Sequence, residues 1–134
     1  MYLVDSSVVL KWFFPHEEGT EKANELYRSM QAGVIDLGTD SSVIHEVANV
    51  LHGKGKLSAP EISAAISRMF EDGLLLVNDA KQMLVDAIRI GFEKKIGTHD
   101  AVLVTAAMKS RSVLITADHL LHKVAQEYAE TWLL

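Results

Sequence analysis

The chain has no cysteine among its 134 residues. That removes a disulfide framework, a thiolate zinc site and a thiol nucleophile, and it is compatible with a reducing cytosol. Long apolar runs are also missing. No stretch approaches the roughly 18 uninterrupted apolar residues that a membrane span needs, and Met1-Tyr2-Leu3-Val4-Asp5 lacks the basic start and apolar stretch of a secretion signal. A soluble, cytoplasmic protein is expected. There is no Walker-type phosphate loop and no dinucleotide fingerprint, so ATP and NAD are not indicated. His45-Glu46 opens the zinc-protease string His-Glu-x-x-His, but Asn49 stands where the second ligand belongs. Ser6 and Ser7 lack the elbow motif and partnered histidine of a hydrolase nucleophile.

What is present fits one compact domain spanning 1–134, with 49% hydrophobic and 23% charged residues and neither repeats nor a linker. Residues 2 to 4 read as a short buried strand, and Asp5-Ser6-Ser7 supplies caps for a helix from Val8 to about Phe14 that Pro15 ends. A helix from about Glu17 to Gln31 stops at Gly33, and Val34 to Leu37 reads as a strand. Thr39 to Ser42 reads as turn and cap, before a helix that carries Val43, Glu46, Val47, Val50 and Leu51. Gly53-Lys54-Gly55-Lys56 breaks it, and Ser58 with Glu61 has capping-box spacing for the next helix. A third buried strand at Leu74 to Val77 follows, then a helix capped by Asn78 or Asp79 and reaching about Phe92. Another helix opens at Gly97-Thr98 and runs to about Ser110; a fourth strand at Val113 to Ile115 precedes Thr116-Ala117-Asp118 and a last helix. Strands alternating with helices predict an α/β fold with a parallel sheet covered on both faces.

Four acids stand out within this frame: Asp5, Glu46, Asp100 and Asp118, each at or just inside a helix start and flanked by apolar segments. Taken singly, each has an ordinary explanation as a cap, a dipole-favoured first-turn acid or a solvated helix residue. Topology changes the reading, because the carboxyl ends of parallel strands converge on one crevice. An empty cluster of carboxylates repels itself, and a divalent cation relieves that repulsion. All-oxygen ligation suits Mg²⁺ or Mn²⁺ better than zinc. Asp5, Asp100 and Asp118 are expected to bind the metal, with Glu46 ligating directly or through water, and Ser7 and Thr116 are candidates for orienting carboxylates or waters. The chemistry implied is phosphodiester hydrolysis.

The net charge of −5 argues against a strongly basic nucleic-acid surface, yet setting those four acids aside leaves 14 acidic against 13 basic residues. RNA therefore stays open as substrate. Lys54 with Lys56, Lys94 with Lys95, and Lys109 with Arg111 are candidate phosphate contacts, with a solvated surface the plainer reading of any one pair.

Val4-Asp5-Ser6-Ser7-Val8-Val9-Leu10-Lys11-Trp12-Phe13-Phe14-Pro15 resembles the amino-terminal signature of PIN-domain ribonucleases, specifically VapC-type toxins. Glu46-Val47-Ala48-Asn49-Val50-Leu51, Asp100-Ala101 and Thr116-Ala117-Asp118 resemble the family's later blocks, in order, over essentially the whole chain. The resemblance implies a three-layer α/β/α fold, Mg²⁺- or Mn²⁺-dependent endoribonuclease activity and homodimerisation. It also implies inhibition by a VapB-like antitoxin whose tail occupies a groove. Trp12, Phe13 and Phe14 are candidates for that groove, with helix-core packing as the other reading. His99 departs from the aromatic or apolar residue often found at its position, and His119 with His122, one helical turn apart, read more readily as surface residues. Alternatives are a stand-alone PIN nuclease, a noncatalytic partner-binding module, and an Asp-nucleophile phosphatase resembling the haloacid dehalogenases, which would favour Asp where Ser7 stands.

Overall fold

Five parallel strands in the order β3-β2-β1-β4-β5 form the centre of the protein. A computed structural model describes residues 1–55, 57–77 and 80–134. The expected cap at Asn78 or Asp79, and Lys56 as a phosphate contact, lie outside the described residues. The strands are β1 (Tyr2–Val4), β2 (Leu37–Asp40), β3 (Leu75–Val77), β4 (Val113–Thr116) and β5 (Thr131–Leu133). The helices are α1 (Ser6–Val9), α2 (Thr20–Gln31), α3 (Ser41–Gly53), α4 (Ala59–Glu71), α5 (Lys81–Lys94), α6 (Thr98–Ser110) and α7 (His119–Ala125). The result is the expected three-layer α/β/α sandwich, with a sheet that is wholly parallel.

Burial falls off from the middle of the sheet to its edges. Leu3, Val4, Leu37, Leu114 and Ile115 are buried in the central strands, whereas Leu75 and Leu76 on one edge and Trp132 and Leu133 on the other are exposed. The third strand is therefore not the buried strand that its apolar run predicts. An edge strand is flanked on one side only, so its side chains keep access to solvent. The sequence reading also lacks β5, which is short and carries two exposed residues.

Two boundaries move for identifiable reasons. The second strand begins at Leu37, not Val34, because α2 ends in a Schellman turn: Gly33 adopts φ +73°, Gly33 N–H donates to the Met30 carbonyl, and Val34 N–H donates to that of Ser29. Val34 thus belongs to the helix stop, and Thr39 and Asp40 belong to the strand. The first helix is shorter than expected and tightens into a 3₁₀ turn over Leu10–Trp12. Trp12 Nε1 donates to the Ala23 carbonyl at 2.8 Å, and its ring meets Tyr27 edge-on at 4.9 Å, which ties this turn to α2. The capping box forms as the sequence predicts, with Ser58 and Glu61 bonding each other's backbone N–H.

Chain order sets the location of a crevice. From β1 the chain adds β2 and β3 on one side, then crosses over to place β4 on the other, so strand order reverses between β1 and β4. In open parallel sheets ligands bind outside the carboxyl ends of the strands at that reversal. Among the described residues no helix is long and apolar enough to cross a membrane.

Gly38 lets the strands approach: a Cβ there would sit 3.2 Å from the Leu75 carbonyl oxygen and 3.3 Å from Leu3 Cδ2. Gly38→Val is expected to destabilise the protein by about 1–3 kcal/mol through overpacking, read as a lower urea midpoint with unchanged slope.

Candidate active site

Asp5 leaves the carboxyl end of β1 and caps α1, where it is 3% exposed. Three donors hold its carboxylate: Ser7 Oγ on Oδ1 at 2.5 Å, Thr116 Oγ1 on Oδ2 at 2.5 Å, and Val8 N–H on Oδ1 at 3.3 Å. The direction of the hydroxyl bonds follows from their other partners. Ser7 Oγ accepts from Ala117 N–H at 2.8 Å, and Thr116 Oγ1 accepts from Asp118 N–H at 3.0 Å, so each hydroxyl has its proton free for Asp5. Ser7 and Thr116 thereby join the end of β1 to the end of β4 across the crevice. Burial raises the Asp5 carboxyl above its ordinary value; the bonds from Ser7, Thr116 and Val8 oppose that, and the charge of Asp118 adds to it.

Asp118 caps α7, with Oδ1 accepting from Leu120 N–H at 2.9 Å and Leu121 N–H at 3.1 Å. Asp100 lies in the first turn of α6, and Glu46 in the second turn of α3. His99 Nε2 stands between them, 3.7 Å from Glu46 Oε2 and 3.6 Å from Asp100 Oδ1. These separations are those of charge contacts, too long for hydrogen bonds. The imidazole has its place because residue 97 is glycine: a Cβ on Gly97 would lie 2.7 Å from His99 Cε1.

The Asp100 carboxyl is pushed up to about 6, first by burial and then by the like charges of Asp5, Glu46 and Asp118, with His99 acting the other way. One electrostatic environment therefore contains all four acids singled out in the sequence. Among the described residues, no group of three or more acid or histidine side chains is placed so as to hold a metal ion. The donor chemistry nevertheless fits a hard cation. Every acid offers oxygen, Asp100 is destabilised as an anion by its neighbours, and Glu46 Oε2 is enclosed without a hydrogen-bond partner.

The basic residues divide. Lys94 pairs with Glu127 at 3.1 Å and Lys109 with Asp86 at 2.8 Å, while the Lys54 ammonium lies 5.6 Å from the Phe14 ring centre. Away from the four acids, a hollow of about 360 Å³ is lined by residues including Trp12, Phe13, Tyr27, Arg28, Arg68 and Met69. Beside it, Phe13, Phe14, Leu51, Lys54 and Leu57 help line a second hollow of about 440 Å³. Trp12, Phe13 and Phe14 thus both pack against the core and border these hollows. From the sequence, Asp40 reads as turn and cap material. It is in fact wholly buried at the carboxyl end of β2, the same side of the sheet as Asp5 and Thr116.

The PIN-domain family model matches residues 2–127, and the chain belongs to the PIN-domain family, a family of nucleases. Among solved structures it is similar to PAE2754 from Pyrobaculum aerophilum, at 20% identity and a TM-score of 0.67, covering 97% of this chain and 89% of that one. It is also similar to a chain of a toxin-antitoxin complex from Klebsiella pneumoniae, at 16% identity and a TM-score of 0.62, covering 88% and 87% respectively. A chain of FitAcB from Neisseria gonorrhoeae matches at 14% identity and a TM-score of 0.64, covering 98% of this chain and 96% of that one. At these identities the likeness is one of fold. No curated protein sequence matches the chain.

The raised Asp100 carboxyl has a stability consequence with a definite sign. Folding favours its protonated form, so this group lowers stability as pH rises from 3.8 towards about 6. Metal-free Asp100→Asn is therefore expected to be more stable than wild type by about 2 kcal/mol at pH 7.5, the gain vanishing below about pH 4. Thermal melts across that range in the presence of chelator measure it.

Proposed function

We propose that this protein is a Mg²⁺- or Mn²⁺-dependent endoribonuclease and the toxin component of a VapBC-type toxin-antitoxin pair, acting in the cytoplasm. The observation that carries the reading is the shared field of Asp5, Glu46, Asp100 and Asp118 at the point where the strand order reverses. Burial, and after it the charges of Asp5, Glu46 and Asp118, raise the cost of ionising Asp100, and a bound cation would remove that cost. Membership in a nuclease family gives the cation its use.

Asp5, Asp100 and Asp118 would hold the metal, and Glu46 would ligate it directly or through water. When bound, a hard divalent cation supplies Lewis-acid stabilisation of phosphoryl charge and a more acidic water. The chain's own residues do the rest. Ser7 and Thr116 fix the Asp5 carboxylate by donating to one oxygen each. The α7 backbone holds Asp118 Oδ1, leaving the second oxygen of that carboxylate for a ligand. His99 lies within 3.7 Å of Glu46 Oε2 and 3.6 Å of Asp100 Oδ1, between the two acids.

The partner reading rests on the aromatic hollows beside the 3₁₀ turn and on the likeness in fold to a chain of the Klebsiella toxin-antitoxin complex. Trp12, Phe13, Tyr27 and Phe14 offer apolar anchors to a VapB-like antitoxin tail, and Arg28, Arg68 and Lys54 offer charge at the rim. A homodimer is supported by the exposed stripe Leu84, Val85, Ile88 and Phe92 on α5, where helical spacing puts apolar side chains on one face.

Asp5→Asn, Glu46→Gln, Asp100→Asn and Asp118→Asn are each expected to reduce RNA cleavage at least about a hundredfold while retaining the fold by circular dichroism. Wild-type cleavage of labelled RNA should produce internal cuts that EDTA abolishes, with no activity on a phosphomonoester. Full activity of Asp5→Asn in nuclease-free preparations, or cleavage indifferent to chelation, contradicts the assignment.

A further inference from the structure

Four buried side-chain polar atoms among the described residues have no hydrogen-bond partner, and three of them lie along the start of α3: Asp40 Oδ2, Ser42 Oγ and Glu46 Oε2. The fourth, His122 Nδ1, belongs to α7. An enclosed oxygen without a partner costs roughly 1–3 kcal/mol, and three such atoms in sequence along one helix are not an economical accident of packing. Internal water satisfies groups of this kind, typically making about three bonds in a polar recess.

Local geometry links the three. Asp40 is 0% exposed and caps α3, its Oδ1 accepting from Ser42 N–H at 2.8 Å, so its second oxygen is held at the Ser42 end of the helix. Ser42 and Glu46 are four residues apart on α3 and share a helix face, with Cβ atoms about 5–6 Å apart. Side chains at that spacing can meet directly or through one water, and since Ser42 Oγ and Glu46 Oε2 make no direct hydrogen bond, a bridging water suits them. Ser42 Oγ can accept from one water while donating to another, and both carboxylates accept.

We propose that Asp40 is a positioning residue for Glu46, acting through Ser42 and ordered internal water, so that the cap of α3 holds the active-site carboxylate in its metal-facing orientation. The proposal rests on the reading of Glu46 as part of a cation site. Carboxylates that bind metals depend on such supporting hydrogen bonds, and their loss commonly weakens metal affinity tenfold or more. Neither Asp40 nor Ser42 needs to touch substrate.

Ser42→Ala separates this role from a merely structural one. If Ser42 Oγ is an isolated buried hydroxyl, its removal relieves an unsatisfied group, so the melting temperature rises and Mn²⁺ binding is unchanged. If it belongs to the relay, calorimetric Mn²⁺ affinity falls about tenfold, kcat for RNA cleavage falls with it, and KM stays the same. Ser42→Thr, which keeps the hydroxyl, should restore both. Asp40→Asn keeps the cap and should also weaken Mn²⁺ binding. Wild-type affinity in both Ser42→Ala and Asp40→Asn overturns this inference while leaving the nuclease reading intact. Wild-type protein that neither binds Mn²⁺ nor cleaves RNA overturns both.

Discussion

The clamp on Asp5 is the interaction from which the site is built. Its carboxylate is almost fully enclosed, and it keeps a fixed orientation because Ser7 and Thr116 each spend their single hydroxyl proton on it. Both hydroxyls are aimed by backbone N–H groups of residues 117 and 118. The ends of β1 and β4 are thus joined through side chains at the position where the sheet changes its direction of growth. The pairing of β1 with β4 sets the two strand ends side by side, and this join fixes the Asp5 carboxylate between them.

Electrostatics then decides what such a crevice is for. At an effective dielectric of about 20, two carboxylates about 5–6 Å apart repel by about 3 kcal/mol, more than an ordinary hydrogen bond returns. The Asp100 carboxyl is raised first by burial, and the like charges of Asp5, Glu46 and Asp118 add to that. Asp5 and Asp118 are held by donors, whereas Asp100 and Glu46 face each other across His99 with little else to neutralise them. Asp5 and Asp118 follow β1 and β4, whereas Glu46 and Asp100 lie on α3 and α6.

Much of this was legible from residue order. The alternation of strands and helices, the capping box at Ser58 and Glu61, and the helix starting near Thr98 follow local rules that tertiary packing leaves in force. The four acids were identifiable because each sits beside an apolar segment at a helix start, and parallel topology brings such starts together. What escaped depends on information not carried by local pattern. Val34 and Ile35 have strand-like side chains but lie beyond a glycine in a left-handed turn, so the helix stop claims them. The strand at Thr131–Leu133 is three residues long and exists because β4 offers it an edge. Asp40 looked like an ordinary cap, since its complete burial arises from neighbours distant in sequence.

Paramagnetic broadening by Mn²⁺ tests the convergence of the four carboxylates most directly. In amide NMR spectra at substoichiometric Mn²⁺, residues flanking Asp5, Glu46, Asp100 and Asp118 should broaden together and with the same concentration dependence, and Asp5→Asn should abolish the effect at all four. Broadening confined to one of these segments, or appearing at separate surfaces with different affinities, would contradict a common cation site.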